Sequence, residues 1–234
     1  QIPSISQMRY AQFLGMPESK IRVIQPLVGG AFGGKFEYKS HIIAAHLARV
    51  TRFPVKIVNT REEDFIAGNP RVPMKIYLRL GVKKDGTITA KEVKIYGANG
   101  ARTVYAPAIV STACYRNDSL YTYQNVRNLG YTVYTNTVPT GCFRGFGNSQ
   151  AHFAMESALD MIARKIDMDP AELRLRNGVY EGYTSVHGWK MLSCGLKECI
   201  EKATTKVGWQ EKRNQPHDNN NKINGYFVGI IMKN

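Results

Sequence analysis

Two short stretches carry residues whose types and spacing suit ligand chemistry. The first is "VGGAFGGKFEYKSH", from Val28 to His41. Gly29, Gly34 and Lys35 fall on the G-x-x-x-x-G-K frame of a phosphate loop, which requires Ser or Thr next to hold magnesium. The next residue is Phe36, which cannot coordinate a metal. Asn59 and Thr60 stand where the following strand would need an acidic residue. "GGAFGG" also lacks the G-x-G-x-x-G spacing of a dinucleotide loop. What survives is a run of amides free of side-chain bulk, suited to close approach of an anionic or oxo ligand. The plainer alternative is a tight strand–helix turn with glycines for sterics only.

The second stretch is "GCFRGFG", Gly141 to Gly147, which also sits between a strand pattern and a helix pattern and also carries Phe among glycines. For Arg144 the plain reading is a surface ion pair, and for Phe143 and Phe146 it is core packing. Phe146 lies between Gly145 and Gly147, which offer no side chains to pack on, so exposure toward a planar ligand is the better expectation. Two such loops in similar settings suggest that both backbones converge on one bulky ligand.

The elements that must carry these loops follow from periodicity. Ile5–Leu14 has helix spacing, Pro17–Lys20 turns the chain, and Ile21–Val28 predicts a buried strand. Ser40 is the expected N-cap of a helix through about Val50, with Ile42, Ile43, Leu47 and Val50 on its buried face. Val55–Asn59 predicts a short strand. Met74–Val82 and Thr87–Tyr96 alternate around a Lys84-Asp85-Gly86 turn, a hairpin signal. Asn99–Asn117 reads as a loop with a short helix, Gly130–Thr137 as a strand, and Ser149–Ile166 as a helix. Asp169, Pro170 and Glu172 supply cap, fixed φ and capping carboxylate for another. Leu196–Val207 is amphipathic, and Gln210–Lys222 is polar and predicts a surface loop. The expected class is α+β, with mixed sheets, long hairpin strands and packed helices. Residues 1–140 would carry the first loop and the hairpin, and residues 141–234 the second loop and the helical region.

Hydrophobic residues make up 43% and charged residues 21% of 234, a globular composition. No apolar run has the length of a membrane span, and the cytoplasm is the default location. Cys114, Cys142, Cys194 and Cys199 have neither zinc nor iron–sulfur spacing, so reduced thiols and no directly held metal are expected. The net charge of +14 admits an anionic cofactor or acidic partners, whereas the scattered Lys and Arg give no dense block for nucleic acid. The competing class is a basic, non-enzymatic module that binds nucleic acid or protein. The chain starts at Gln1 on a helical pattern and ends in a strand-like run, Tyr226–Met232, so a fragment or one half of a split subunit is expected.

"VGGAFGGK" together with "YTNTVPTGCFRGFGNSQAHFAMES" resembles the molybdenum-binding subunit of the xanthine dehydrogenase and aldehyde oxidase family. "HIIAAHLARVTRFPVKIVNTREEDF", Asn69–Arg71, "LGVKKDGTI" and "DPAELRLRN" extend the resemblance over most of the chain, as a middle portion of such a subunit. The resemblance implies a molybdenum–pterin cofactor, often the cytosine dinucleotide form. It implies hydroxylation of a small-molecule substrate with oxygen drawn from water, and electrons leaving through iron–sulfur clusters and FAD on partner domains or subunits. By position, Gln1 matches the family glutamine that hydrogen-bonds the oxo group. Gly30, Phe32, Gly33 and Gly34 match the loop that approaches the metal from one side. Phe143, Arg144 and Gly145 match the loop that presents backbone near the dithiolene. Phe146 resembles the aromatic that stacks on the substrate ring.

Two departures narrow the substrate. Purine-oxidising members carry Glu where Phe36 stands, and Arg where an ungapped alignment puts Thr112. Their absence favours an aldehyde, aromatic or N-heterocyclic substrate over xanthine, unless Arg116 replaces the lost Arg through a shifted loop. The family's general-base glutamate lies beyond the span matched here, and neither Glu172 nor Glu201 has its setting, so no catalytic residue is assigned and turnover by residues 1–234 alone is not expected.

Overall fold

The computed structural model describes residues 2–36 and 39–213. Gln1 and the strand-like run Tyr226–Met232 therefore lie outside the described residues. The chain divides into two units that are discontinuous in sequence: the first takes Gln1–Pro73, Ala98–Ala106 and Tyr134–Arg144, the second Met74–Gly97, Pro107–Val133 and Gly145–Asn234.

The second unit is α+β and closes its own core. Strands β1 (Met74–Val82) and β2 (Ile88–Gly100) pair antiparallel, and β3 (Asn125–Tyr134) lies on the far side of β2. The hairpin follows from alternating side chains around a Gly86 turn, in which Asp85 accepts the Thr87 amide at 2.9 Å. Gly81 pairs with Ala90 and Val82 with Ile88, so Thr89 is an inserted residue. That bulge lets Ile88 face inward together with the odd-numbered Lys91, Val93 and Ile95. Helix α4 (Ala106–Arg116) sets Val110, Ala113 and Cys114 against Val93, Ile95 and Ala151. Helix α5 (Asn148–Lys165) sets Met155, Leu159 and Ala163 against Ile88, Leu120, Tyr121 and Leu173.

Helix α6 (Pro170–Asn177) starts where cap chemistry dictates: the Asp169 carboxylate accepts the amides of Ala171 at 2.6 Å and Glu172 at 3.2 Å. Its last residue fastens the hairpin. Buried Asn177 accepts the Ile88 amide at 2.8 Å and donates to the Gly86 and Leu173 carbonyls at 2.9 and 2.8 Å. Asn177→Ala should strand these groups in the interior and cost about 2–3 kcal/mol, read as a lower urea midpoint at unchanged slope. Helices α7 (Leu196–Val207) and α8 (Trp209–Arg213) follow, so the expected polar loop from Gln210 begins instead as helix; Trp209 Nε1 donates to the Asp169 carboxylate at 2.8 Å and holds the turn. The rest of that loop lies outside the described residues.

The first unit is built from α1 (Pro3–Leu14), α2 (Lys39–Thr51) and α3 (Arg61–Ala67). Arg49 donates to the Leu14 carbonyl at 2.5 Å, and the Tyr10 and His41 rings stack at 6.3 Å. Thr60 and Glu63 form a reciprocal capping box on α3.

Several expectations fail here. Ile21–Val28 and Val55–Asn59 form no strand, because no described residue offers them a ladder, and Ile24, Leu27 and Val58 are exposed. Helix α2 begins at Lys39, which makes Ser40 a helical residue and not its cap. Its expected core face is uncovered, with Ile43, Leu47 and Val50 all exposed and none of its residues buried. In the second unit the corrections are small: β3 starts at Asn125 because Val126 already packs on the core, and β2 runs on to Gly100. All four cysteines are free thiols, and among the described residues no helix is long and apolar enough to cross a membrane.

Candidate functional site

The first glycine loop leaves α1 through the turn at Glu18–Lys20, which Gln7 Nε2 ties down by donating to the carbonyls of Glu18 and Ile21 at 2.9 and 2.8 Å. The loop tightens at its end, where the amides of Gly34 and Phe36 donate to the carbonyls of Ala31 and Gly33 at 2.8 and 3.1 Å. Phe32 has φ +50, a left-handed conformation that costs a non-glycine residue, and its ring is 61% exposed. Strain and an exposed aromatic on one loop residue mark a site shaped for something other than packing.

Gly33 is where the two loops meet. At φ +103, a β-carbon built on it would lie 2.5 Å from the Cys142 carbonyl oxygen and 3.0 Å from the Phe143 α-carbon. Only glycine permits this backbone-on-backbone approach. Gly29 and Gly34 have no such neighbour: among the described residues nothing lies within 4 Å of a β-carbon placed on either. Among the described residues no backbone carbonyl or side chain accepts from the amides of Gly29, Gly30, Phe32 or Gly33. The loop therefore leaves both space and donors.

The second loop is carried to this meeting by two short pairings. Thr140 donates through its amide to Asn99 at 3.1 Å and through its hydroxyl to Ala98 at 2.7 Å. Gly141 donates to Pro70 at 2.9 Å and bridges Arg71 in parallel fashion. Arg71 then does more than pair. Its guanidinium donates to the Arg144 carbonyl at 2.8 Å and lies 4.4 Å over the Phe143 ring, so one side chain holds consecutive residues of the loop. Partial desolvation draws its pKa below the ordinary guanidinium value. Lys39 fixes the preceding segment by donating to the Ala67 carbonyl and the Asn69 side chain at 2.6 and 2.8 Å.

Phe36 packs edge-to-face on Tyr105, with centroids 4.6 Å apart, and gives the loop an apolar aromatic neighbour where a glutamate would have brought charge. Phe143 is 49% exposed beneath Arg71, which does not fit the core-packing alternative, and no described acidic side chain pairs with Arg144.

The structure thus brings together Gly33, Phe143 and the Arg144 carbonyl within the first unit, with Gly30, Phe32, Gly34 and Phe36 on the same loop. Gly145 and Phe146 open the last segment of the second unit. Gly145 has φ +96 and Phe146 φ +47, so both glycine loops hold a phenylalanine in left-handed backbone. Gly147 then seats the start of α5 on α4: a β-carbon there would lie 2.5 Å from the Ile109 carbonyl. Thr112 is buried with its hydroxyl 3.4 Å from that of Tyr115, and Arg116 lies one turn on, over the Tyr115 ring at 5.8 Å. Gln1 lies outside the described residues.

Sequence reasoning assigned no role to Arg71 or Tyr105. Arg71 had a signal, since an Arg between Pro70 and Pro73 cannot sit within a helix and must project from extended chain. Tyr105 had none, because its contact with Phe36 spans 69 positions.

Comparison with known proteins bears on what these loops surround. Residues 1–178 match the model of the molybdopterin cofactor-binding domain. The large molybdopterin subunit of nicotinate dehydrogenase from Eubacterium barkeri is 35% identical over 218 residues, which cover 91% of this chain and 51% of that protein. The xanthine dehydrogenase molybdenum-binding subunit of Escherichia coli O157:H7 is 35% identical over 215 residues, covering 91% and 29%. Among solved structures, the aldehyde oxidoreductase of Desulfovibrio gigas superposes with a TM-score of 0.79 at 28% identity, over 90% of this chain and 24% of that one. The chain spans about half the length of the first of these relatives and under a third of the others.

Proposed function

Because the chain belongs to the molybdopterin cofactor-binding domain family, we propose that its two glycine loops form part of the wall of a molybdenum hydroxylase active site. One observation carries this reading: Gly33 lies backbone-on-backbone against Cys142 and Phe143, while Gly29 and Gly34 beside it meet no described residue. A loop needing glycine only to turn would not leave two of its glycines unencumbered and several amides without acceptors. These features fit a bulky anionic pterin with an oxo-bearing metal. When bound, that cofactor supplies a centre that hydroxylates the substrate with oxygen from water.

The residues of this chain bind and orient. Gly30, Phe32, Gly33 and Gly34 present backbone on one side, with Gln1 as a further donor near the start. Phe143 and Arg144 present backbone on the other, held by Arg71. Phe36 on Tyr105 makes the substrate wall aromatic, which favours an aldehyde or an aromatic or N-heterocyclic ring over xanthine. No residue here takes the part of the base; that glutamate, the rest of the molybdenum subunit, the iron–sulfur clusters and FAD belong to other segments or subunits of a cytoplasmic assembly. Residues 1–234 alone are inactive.

The test uses the intact assembly. Metal analysis and pterin fluorescence should find about one of each per protomer, and isotopically labelled water should deliver its oxygen to the product. The kcat/KM for aromatic aldehydes or N-heteroaromatic acids should exceed that for xanthine by at least about tenfold, and Phe36→Glu should narrow the gap. A purified assembly with neither molybdenum nor pterin would overturn the proposal.

A further inference from the structure

The sheet of the second unit has two unlike faces. One is core, where Lys91, Val93 and Ile95 are buried. On the other, Lys75, Tyr77 and Arg79 of β1 stand opposite Tyr96, Lys94 and Glu92 of β2, so the register sets cation against ring twice and cation against carboxylate once. Strand β3 adds Tyr131, stacked on Tyr96 with ring centroids 5.2 Å apart, and Arg127, 3.5 Å from Glu92. Tyr77 is 49% and Tyr131 44% exposed, so among the described residues nothing covers this face.

A solvated sheet face is ordinary in antiparallel structure, but an ordered one is not required by it. Here the Lys75 ammonium lies 5.3 Å from the Tyr77 ring centre, and that of Lys94 lies 5.1 and 5.6 Å from the Tyr96 and Tyr131 rings. Tyr77 sets its edge on Tyr96 at 6.2 Å. Lysines seated on rings have already given up rotamer freedom that free lysines lose only on docking, which lowers the cost of binding. The charge is also unbalanced. Arg79 and Arg127 share the single Glu92 carboxylate, at 3.3 and 3.5 Å, and no described carboxylate pairs with Lys75 or Lys94.

We infer that this face is a docking surface for an acidic protein that meets the assembly transiently and is not one of its resident subunits. Charge complementarity selects the partner: ammonium, guanidinium and phenol groups fixed on one plane match carboxylates on an opposing surface. The chemistry also sets the kind of encounter. Lysine is depleted from the apolar cores of stable interfaces, whereas a polar, like-charged patch steers a short-lived complex. Single-stranded nucleic acid fits less well, because the tyrosines stack on one another and carry ammonium groups instead of offering free ring faces to bases. A second copy of this chain would bring the same positive charge. Nothing in this face depends on which cofactor the glycine loops hold.

The experiment titrates the intact assembly into a fluorescein-labelled oligoglutamate peptide and reads anisotropy at about 0.02 M and about 0.3 M salt. Binding should be present at low salt and fall at least about tenfold at high salt. Lys75→Glu with Lys94→Glu should weaken it at least about tenfold, and Lys75→Gln with Lys94→Gln, which adds no repulsion, at least about threefold. Lys165→Glu with Lys206→Glu makes the same change in net charge at exposed positions on α5 and α7, and should alter binding less than about twofold. Equal losses in both Glu pairs would make the binding a matter of net charge alone and overturn the inference. So would unchanged binding in the Lys75 and Lys94 variants, or no binding to the intact assembly, which would mean that a resident subunit already covers the face. Tighter binding of oligothymidylate, lost in the same variants, would assign the face to nucleic acid and overturn it as well.

Discussion

Arg174→Ala is expected to destabilise the second unit by about 3–5 kcal/mol, the cost of leaving a buried carboxylate without its cation. Arg174 is wholly buried, and its Nε donates to the Glu156 carboxylate at 2.8 Å. One terminal nitrogen reaches Asp160 at 2.9 Å and the Pro170 carbonyl at 3.1 Å, while the other reaches the Glu156 carbonyl at 3.3 Å. Glu156 is itself 3% exposed and takes the Tyr121 hydroxyl at 2.7 Å. A single guanidinium therefore ties α6 to α5 and satisfies a carboxylate that water cannot reach. For a chain of this size the loss corresponds to a fall in melting temperature of roughly 10 °C. A second variant tests the cause: Arg174→Met with Glu156→Leu removes both charges, keeps side-chain volume, and should recover most of the loss. Near-equal stabilities for the single and double variants would show that packing, and not the stranded charge, sets the cost.

What the sequence made legible follows from where each element finds its partners. The hairpin, α5, α6 and α7 were readable because their signals are local: alternation around Lys84-Asp85-Gly86, a capping Asp169 before Pro170, and apolar spacing. All of these close on one another inside the second unit. The strands expected at 21–28 and 55–59 had equally good patterns but find no ladder among the described residues, and a local pattern says nothing of whether a partner strand stands beside it. The helix over Lys39–Thr51 was legible as a helix and misread as to its face for the same reason. At the site, the glycine loops were visible in the sequence, whereas their meeting was not. Residues 33 and 142 are 109 positions apart, and no local rule distinguishes Gly33, which needs its missing β-carbon, from Gly34, which does not. The Thr89 bulge was hidden too, since the inserted residue shows only once the register with Gly81 and Val82 is known.

That difference between Gly33 and Gly34 makes the second large prediction. Gly33→Ala should part the two loops, because its β-carbon would meet the Cys142 carbonyl oxygen at 2.5 Å while φ stays at +103. Backbone strain and overpacking together cost about 3 kcal/mol, or on the order of a hundredfold in the population of joined loops. Molybdenum and pterin content of the purified assembly should fall accordingly, while the urea transition of the second unit, which Gly33 does not belong to, stays in place. Gly34→Ala asks a different question. Among the described residues nothing lies within 4 Å of the new methyl group and no positive φ is involved, so the chain alone should tolerate it. If the space above Gly34 belongs to the cofactor, this variant too loses molybdenum and pterin, with folding unchanged. Retention of both by Gly34→Ala alongside their loss in Gly33→Ala would confine the cofactor to the Gly33–Cys142 side of the loop. Retention by both variants would remove the loop junction from the site altogether, because a contact worth about 3 kcal/mol cannot be broken at a binding wall without changing what the wall holds.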